Sequence, residues 1–111
     1  MRSLRIVSAL VLLLALVSCA KPLPAGRSAY VGAWTGPDIV LVVSQEGRVV
    51  YRQGTGTFRK KISAPLKEFQ GDNFIVGVGP AETTFVVTAP PRQVAGVWRM
   101  TVDGVELTRG P

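Results

Sequence analysis

The chain divides into an apolar N-terminal segment and a longer stretch of short apolar runs separated by turn residues. Residues 6–17 (IVSALVLLLALV) are apolar except for Ser8, and they follow the basic residues Arg2 and Arg5. A bilayer-spanning helix needs about 20 apolar residues, so this segment is too short for a permanent span. A basic start before a short apolar core is typical of a secretory signal. We therefore predict that residues 1–18 form a signal-peptide helix that is cleaved. A buried helix of a cytosolic protein is the alternative.

Beyond residue 30, β-branched and aromatic runs alternate with turn residues, which predicts strands. The predicted strands are residues 39–44, 49–52, 57–62, 74–78, 83–88, 97–102 and 105–108. The predicted turns contain Glu46-Gly47, Gly54-Thr55-Gly56, Gly71-Asp72-Asn73, Gly79-Pro80 and Asp103-Gly104. Residues 63–70, which include Pro65, are expected to be irregular or an edge strand, and Pro90-Pro91 to force a loop.

The short connections place consecutive strands side by side in antiparallel order, because a parallel pair needs a long crossover. An up-and-down sheet of this kind closes or folds over itself to cover its edges. We therefore predict an all-β domain over residues 30–111, either a small antiparallel up-and-down β-barrel or a strongly curved meander of about seven strands. Residues 19–29 contain Pro22, Pro24 and Gly26, and are predicted to form a flexible tether.

The composition removes several kinds of chemistry. The 111 residues include no histidine, which excludes His-dependent nucleophilic catalysis and His-ligated metals. A single cysteine excludes an intrachain disulfide and a Cys-rich zinc site. Two carboxylate pairs, Glu68/Asp72 and Asp103/Glu106, are close in sequence, but Asp103 belongs to a turn and Glu106 to an outward strand position. We therefore predict that the protein is not an enzyme and has no cofactor or metal.

The residues Leu16-Val17-Ser18-Cys19 resemble the lipobox of bacterial lipoproteins, in which a small residue directly precedes a cysteine. The resemblance implies that Cys19 receives a thioether-linked diacylglycerol and that a peptidase cleaves between Ser18 and Cys19. The new amino group would usually be acylated as well, and two or more acyl chains hold a protein stably on a bilayer. Ala20 stands where an aspartate retains some lipoproteins in the inner membrane, so the resemblance implies the periplasmic face of the outer membrane. A conventional secreted protein with a free cysteine is the alternative.

The residues Gly32-Ala33-Trp34 resemble the Gly-x-Trp motif at the start of lipocalin-like barrels. In that family the Trp plugs one end of the barrel and an Arg from a late strand stacks on it, which implies Arg109 here, with Arg99 as the alternative partner. The resemblance implies, as an alternative function, a carrier of a small apolar ligand. Four aromatic residues at strand positions would then fill the core or line a pocket: Phe58, Phe74, Phe85 and Trp98.

The stretch from residue 30 to residue 109 also resembles small envelope lipoproteins of Gram-negative bacteria. The matching positions are Ala64, Pro65, Leu66, Phe69, Gly71, Phe74, Val76, Gly77, Gly79, Pro80, Trp98, Met100 and residues 102–109. This resemblance implies a location in the envelope and brings no particular activity with it.

The chain carries a net charge of +6, and its one charge run is Arg59-Lys60-Lys61. The run either protects an edge strand from aggregation or forms an anion-binding patch to which Arg48, Arg52 and Arg99 contribute. The anionic partner of an exported protein would be phospholipid, lipopolysaccharide or peptidoglycan, and we do not expect nucleic acid. We predict a lipid-anchored, non-enzymatic binding or structural module whose partner is an envelope protein or an anionic envelope polymer.

Overall fold

The structure is a computed structural model that describes residues 21–54 and 59–110. The predicted signal peptide, its cleavage site and Cys19 lie outside the described residues, as does Phe58. Within the described ranges, a 3-10 helix (Ala25–Tyr30) precedes nine strands. These are β1 (Gly32–Gly36), β2 (Ile39–Val43), β3 (Arg48–Gln53), β4 (Lys60–Gln70), β5 (Asn73–Val78), β6 (Ala81–Phe85), β7 (Val87–Val94), β8 (Val97–Val102) and β9 (Val105–Arg109).

The strands form one antiparallel sheet in the order β6-β5-β4-β3-β2-β1-β9-β8-β7. The sheet is strongly curled into a half-barrel, which confirms the predicted all-β curved meander. The described residues hold nine strands where the sequence predicted about seven, because β1 was not predicted and because β6 and the start of β7 were predicted to be a single strand.

A single residue, Val86, connects the two edges of the sheet. The edge strand β6 ends at Phe85, and the opposite edge strand β7 begins at Val87. The sheet must therefore curl until its edges approach each other at this point. Two polar side chains support the crossing: Asp103 Oδ1 accepts a hydrogen bond from Val86 N (2.9 Å), and Asn73 Oδ1 accepts one from Val87 N (2.7 Å).

The structure corrects three predictions made from the sequence. Two concern segments that contain proline, and the third concerns the first strand. Residues 63–70 do not form a separate edge strand: they belong to the long strand β4, which pairs with β3 up to Pro65 and with β5 from Leu66 onward, with a register shift between Leu66 and Glu68. Pro90 and Pro91 lie within β7 rather than in a loop, since an edge strand tolerates residues without an N–H donor. Residues 32–36, predicted to precede the first strand, form β1.

The concave face of the sheet is filled with apolar side chains. Burial alternates along β2, where Ile39, Leu41 and Val43 are buried and the residues between them are more exposed. The fully buried side chains are Trp34, Leu41, Val43, Val49, Phe74, Val76, Phe85, Met100 and Leu107. The rings of Phe74 and Phe85 stack with centroids 5.0 Å apart. The curl of the sheet thus encloses a core built from both of its halves.

Residues 21–29, the described part of the segment predicted to be a flexible tether, make contacts with the sheet. Leu23 N donates a hydrogen bond to Gln45 O (3.3 Å), and Leu23 packs against the core. Arg27, in the 3-10 helix, donates to Gly71 O (2.6 Å) and lies 3.6 Å from Asp72 Oδ1. The prolines do not interrupt the helix, because it begins directly after Pro24. Within the described ranges, no helix has the length and apolar character needed to cross a membrane.

Candidate functional site

The charge run lies in an open cleft at one end of the β1–β2 and β3–β4 hairpins. The cleft has a volume of about 550 Å³. We call it the basic cleft, and its lining residues are Thr35, Gly36, Asp38, Ile39, Val40, Arg52, Gln53, Gly54, Arg59, Lys60 and Lys61. The cleft therefore brings Arg59, Lys60 and Lys61, which the sequence singled out, together with Arg52 from the neighbouring strand.

Strand register explains why these residues meet. Arg52 on β3 lies directly opposite Lys61 on β4, and on its other side it lies opposite Val40 of β2. Val40 in turn lies opposite Thr35 of β1. Directly opposed residues in antiparallel strands project from the same face. Because Leu41 and Tyr51, the neighbours of Val40 and Arg52, are buried in the core, this row lies on the outer face of the sheet.

The pair formed by Arg52 and Lys61 places two like charges directly opposite each other, an arrangement that destabilises a sheet. Among the described residues, no carboxylate oxygen lies within ion-pair distance of Arg52, Lys60 or Lys61. Among the residues that the structure describes, Asp38 is the one carboxylate that lines the cleft. Arg52, Lys60 and Lys61 therefore carry positive charge in the basic cleft that no described carboxylate neutralises through an ion pair.

A second like-charge pair in the same sheet is neutralised. Arg92 and Arg99 lie directly opposite each other on β7 and β8. Glu106 bridges them, with Oε1 2.7 Å from Arg99 Nη1 and Oε2 3.6 Å from Arg92 Nη2. The comparison shows that this fold can provide a carboxylate between opposed cations, and that among described residues it does not do so for Arg52 and Lys61.

The chemistry available in the basic cleft is recognition of an anion. A guanidinium group presents N–H donors in a planar fork that matches carboxylate and phosphate oxygens, and an ammonium group adds a compact positive charge. Thr35 and Gln53 supply further polar side chains at the rim. Sequence reasoning missed Thr35, Gln53 and Asp38, because only the pairing of β1, β2 and β3 brings them to the charge run.

Arg48 and Arg99 do not line the basic cleft. Arg48 lies at the opposite end of β3, where it is paired with Pro65. Arg99 is engaged with Glu106. The prediction that they contribute to the patch is therefore wrong, whereas Arg52 lies where that prediction requires.

The residues Gly32, Trp34 and Arg109 lie together at the other end of β1. Trp34 is fully buried, and its Nε1 donates a hydrogen bond to Tyr30 O (2.9 Å). The guanidinium carbon of Arg109 lies 5.7 Å from the ring centroid of Trp34 and 4.6 Å from that of Trp98. Arg109 Nη1 donates to Val31 O (3.2 Å). Their role as a barrel plug stays a prediction.

Three of the four carboxylates named from the sequence as close pairs take part in local contacts. Asp72 faces Arg27, Asp103 accepts a hydrogen bond from Val86 N, and Glu106 bridges two arginines. Within residues 21–54 and 59–110, no group of three or more acidic or cysteine side chains is placed to hold a metal ion.

Comparisons of this chain with protein-family models, with curated proteins and with solved structures found no match.

Proposed function

We propose that this chain is a lipid-anchored protein of the cell envelope whose β domain binds an anionic envelope polymer through the basic cleft, without catalysing a reaction. The observation that carries the binding proposal is the opposition of Arg52 and Lys61 without a neutralising carboxylate among the described residues. The lipobox-like residues ending at Cys19 support the anchor and a location on the periplasmic face of the outer membrane.

A bound anion would convert the repulsion between Arg52 and Lys61 into attraction. One phosphate or carboxylate between the two cations could accept charge-assisted hydrogen bonds from both, each contributing about 1.5–3 kcal/mol. Lys60 also lines the cleft, but as the neighbour of Lys61 on β4 it projects from the opposite face of the strand. If these cations only protected a strand edge from aggregation, Arg52 would not be expected among them. Arg52 lies on β3, which is paired on both sides.

The alternative function, a carrier of a small apolar ligand, gains no support from the concave face. Trp34, Phe74, Phe85 and Met100 occupy that face with almost no exposure to solvent. A small barrel of this kind is expected to be filled by its own side chains. We therefore propose the outer face, and not the interior, as the binding surface.

Sedimentation of the protein with purified peptidoglycan tests the proposal. The double variant Arg52→Gln/Lys61→Gln should lower the apparent affinity by about tenfold or more, since 1.4 kcal/mol corresponds to a factor of ten. The matched control Arg48→Gln/Lys67→Gln removes the same charge from exposed positions outside the cleft, and should bind like the unaltered protein.

The possible results test the role of the cleft, the identity of the polymer and the lipid anchor separately. Equal loss of binding in both double variants would show that net charge, and not the cleft, attracts the polymer. Binding to phosphatidylglycerol vesicles but not to peptidoglycan would replace the polymer with a lipid headgroup. Mass spectrometry of the native protein tests the anchor, and an unmodified Cys19 thiol would contradict it.

A further inference from the structure

The turn between β7 and β8 forms an exposed apolar tip. We call Val94, Ala95, Gly96 and Val97 the hairpin tip, and all four residues are exposed. Val94 and Val97 are directly opposed, and retain 42% and 37% of their surface in contact with solvent. The tip carries no charge, and Trp98 follows it directly. The two opposed valines therefore present apolar surface to solvent, and no charged side chain within the tip opposes its contact with an apolar environment.

Strand register places the hairpin tip at the same end of the sheet as the first described residues. Strand β8 begins at the tip, beside Arg109 at the end of β9, and Arg109 is paired with Trp34 near the start of β1. The start of β1 is paired with the end of β2, because Gly32 lies opposite Val43. The turn that follows Val43 is therefore at the same end as the hairpin tip.

The backbone of Lys21 lies against that β2–β3 turn. A Cβ atom at Gly47 would overlap the carbonyl group of Lys21, so this position requires glycine. Cys19 precedes Lys21 by two residues, which span at most about 7 Å. Lys21, the first described residue after the proposed lipidation site in the sequence, thus lies at the end of the sheet where the hairpin tip is located.

The basic cleft lies at the opposite end of the same strands. It includes Ile39 and Gln53, whereas Lys21 adjoins the turn that connects Val43 to Arg48. The distance along β2 from Val43 to Ile39 is about 13 Å at the usual rise of a strand. The anchor and the cleft are therefore separated along the strand direction.

We infer that the hairpin tip inserts into the interfacial region of the bilayer that holds acylated Cys19, and that this contact orients the basic cleft away from that bilayer. The inference rests on the proposed lipidation of Cys19. A single lipid attachment leaves a domain free to tilt, and a second, apolar contact at the same end restricts that tilt. Trp98 and Arg109 lie behind the tip, and both are side chains that combine apolar surface with a polar group suited to a membrane interface.

Site-specific fluorescence on the full lipidated protein tests this orientation. Cys19 is the single cysteine, so once its sulfur carries the thioether-linked diacylglycerol an introduced cysteine is the only free thiol. The variants Val97→Cys and Val40→Cys place a nitrobenzoxadiazole label at the hairpin tip or at the basic cleft. Val97 and Val40 are a matched pair, with 37% and 39% exposure. The protein is reconstituted in phosphatidylcholine vesicles, whose neutral headgroups do not engage the basic cleft.

Nitroxide-labelled phosphatidylcholine should quench most of the fluorescence at position 97 and leave position 40 unquenched, because interfacial segments are buried only about 5–10 Å into the headgroup boundary. In a protein labelled through Ala95→Cys, the substitution Val94→Asp should abolish quenching, since it places a charge in the tip. The matched substitution Val40→Asp should leave that quenching unchanged.

Each contrary result has a distinct meaning. Protein that floats with the vesicles but is unquenched at position 97 would overturn the inference and leave the proposed function intact. A label at position 97 that is shielded from aqueous dithionite without being quenched by lipid would show that a second copy covers the tip. Equal quenching at both positions would refute the orientation. Failure to float with vesicles would refute the anchor and the inference together.

Discussion

Arg109 and Trp34 are directly opposed on β9 and β1, and the guanidinium carbon of Arg109 lies 5.7 Å from the indole centroid. The aliphatic part of the Arg109 side chain passes over Gly32, where an added Cβ would lie 2.5 Å from Arg109 Cδ. Gly32 also has a φ angle of 144°, which side chains other than hydrogen rarely allow. The glycine of the Gly-x-Trp motif thus gives the arginine access to the tryptophan.

The substitution Gly32→Ala should therefore lower the free energy of unfolding by about 1–3 kcal/mol, since it combines overpacking with backbone strain. Urea denaturation monitored by tryptophan fluorescence measures the change. The control Gly110→Ala adds a methyl group with no atom within 4 Å, and should shift stability by less than about 0.5 kcal/mol. Equal stability of both variants would show that Arg109 does not depend on the space above Gly32.

Trp34 is fully buried in the core, so replacing it with a smaller residue should lower the stability of the fold. Trp34→Ala should lower the free energy of unfolding by about 3–5 kcal/mol, the range for removal of a large buried aromatic side chain. Trp34→Phe keeps most of the apolar contact but loses the hydrogen bond to Tyr30 O, and should cost less. Thermal melting followed by circular dichroism gives the comparison. Melting of Trp34→Ala at the temperature of the unaltered protein would contradict burial of the indole.

The opposed cations of the basic cleft should oppose folding while they favour binding. Lys61→Glu replaces repulsion of Arg52 by attraction, and should raise stability by about 0.2–1 kcal/mol at low salt. The gain should shrink as salt is added, because both side chains are exposed and screened. The same variant should lose affinity for the anionic polymer, which sedimentation measures.

A control on the same strand should respond in the opposite direction. Lys67 Nζ lies 2.8 Å from Glu82 Oε2, so Lys67→Glu replaces an ion pair with two facing carboxylates. We expect a small loss of stability and unchanged binding. A loss of stability in Lys61→Glu as well would show that Arg52 and Lys61 do not repel each other in the folded protein.

Alkaline pH should destabilise the fold through its two tyrosines. Burial raises the pKa of Tyr30 above its usual 10.0, although Arg27 partly opposes the shift, and burial also raises the pKa of Tyr51. A raised folded-state pKa means that the unfolded chain releases its phenolic protons first. The stability linked to these groups is therefore complete below about pH 10 and is lost as pH rises through the folded pKa values.

Urea denaturation over a series of alkaline pH values tests this linkage. The variant Tyr51→Phe cannot ionise at this position, and should lose less stability between neutral and alkaline pH than the unaltered protein does. Absorbance of phenolate during the same titration should show ionisation of the folded protein above pH 10. Ionisation at the pH of free tyrosine would contradict burial of the phenol groups.

Much of the strand pattern could be predicted from local sequence. The alternation in residues 97–102 predicted β8 with its observed bounds, and the runs beginning at residues 39 and 74 lie within one residue of β2 and β5 at their starts and ends. Asp103-Gly104 forms the turn that was expected of it. These elements were predictable because each depends on side-chain alternation and turn chemistry within a few residues.

The errors occur where pairing overrides local preference. Pro65 lies in β4 at the point where pairing changes from β3 to β5. Pro90 and Pro91 lie in the edge strand β7, which continues through them with a shift of its register against β8. Residues 25–30 form a helix against the sheet because Arg27 and Tyr30 find hydrogen-bond partners in the turn at residues 71–72. Those partners are more than 40 positions away, and local sequence does not specify them.

The sequence by itself determined the all-β class, most strands and turns, and the one run of three cations, because these are properties of neighbouring residues. Tertiary structure alone decided that Arg52 faces Lys61 across two strands, that Arg109 reaches Trp34 over Gly32, and that the hairpin tip shares an end with Lys21. These relationships follow from strand order and register. They are set by the curling of the whole sheet around its apolar face, which no local stretch of sequence encodes.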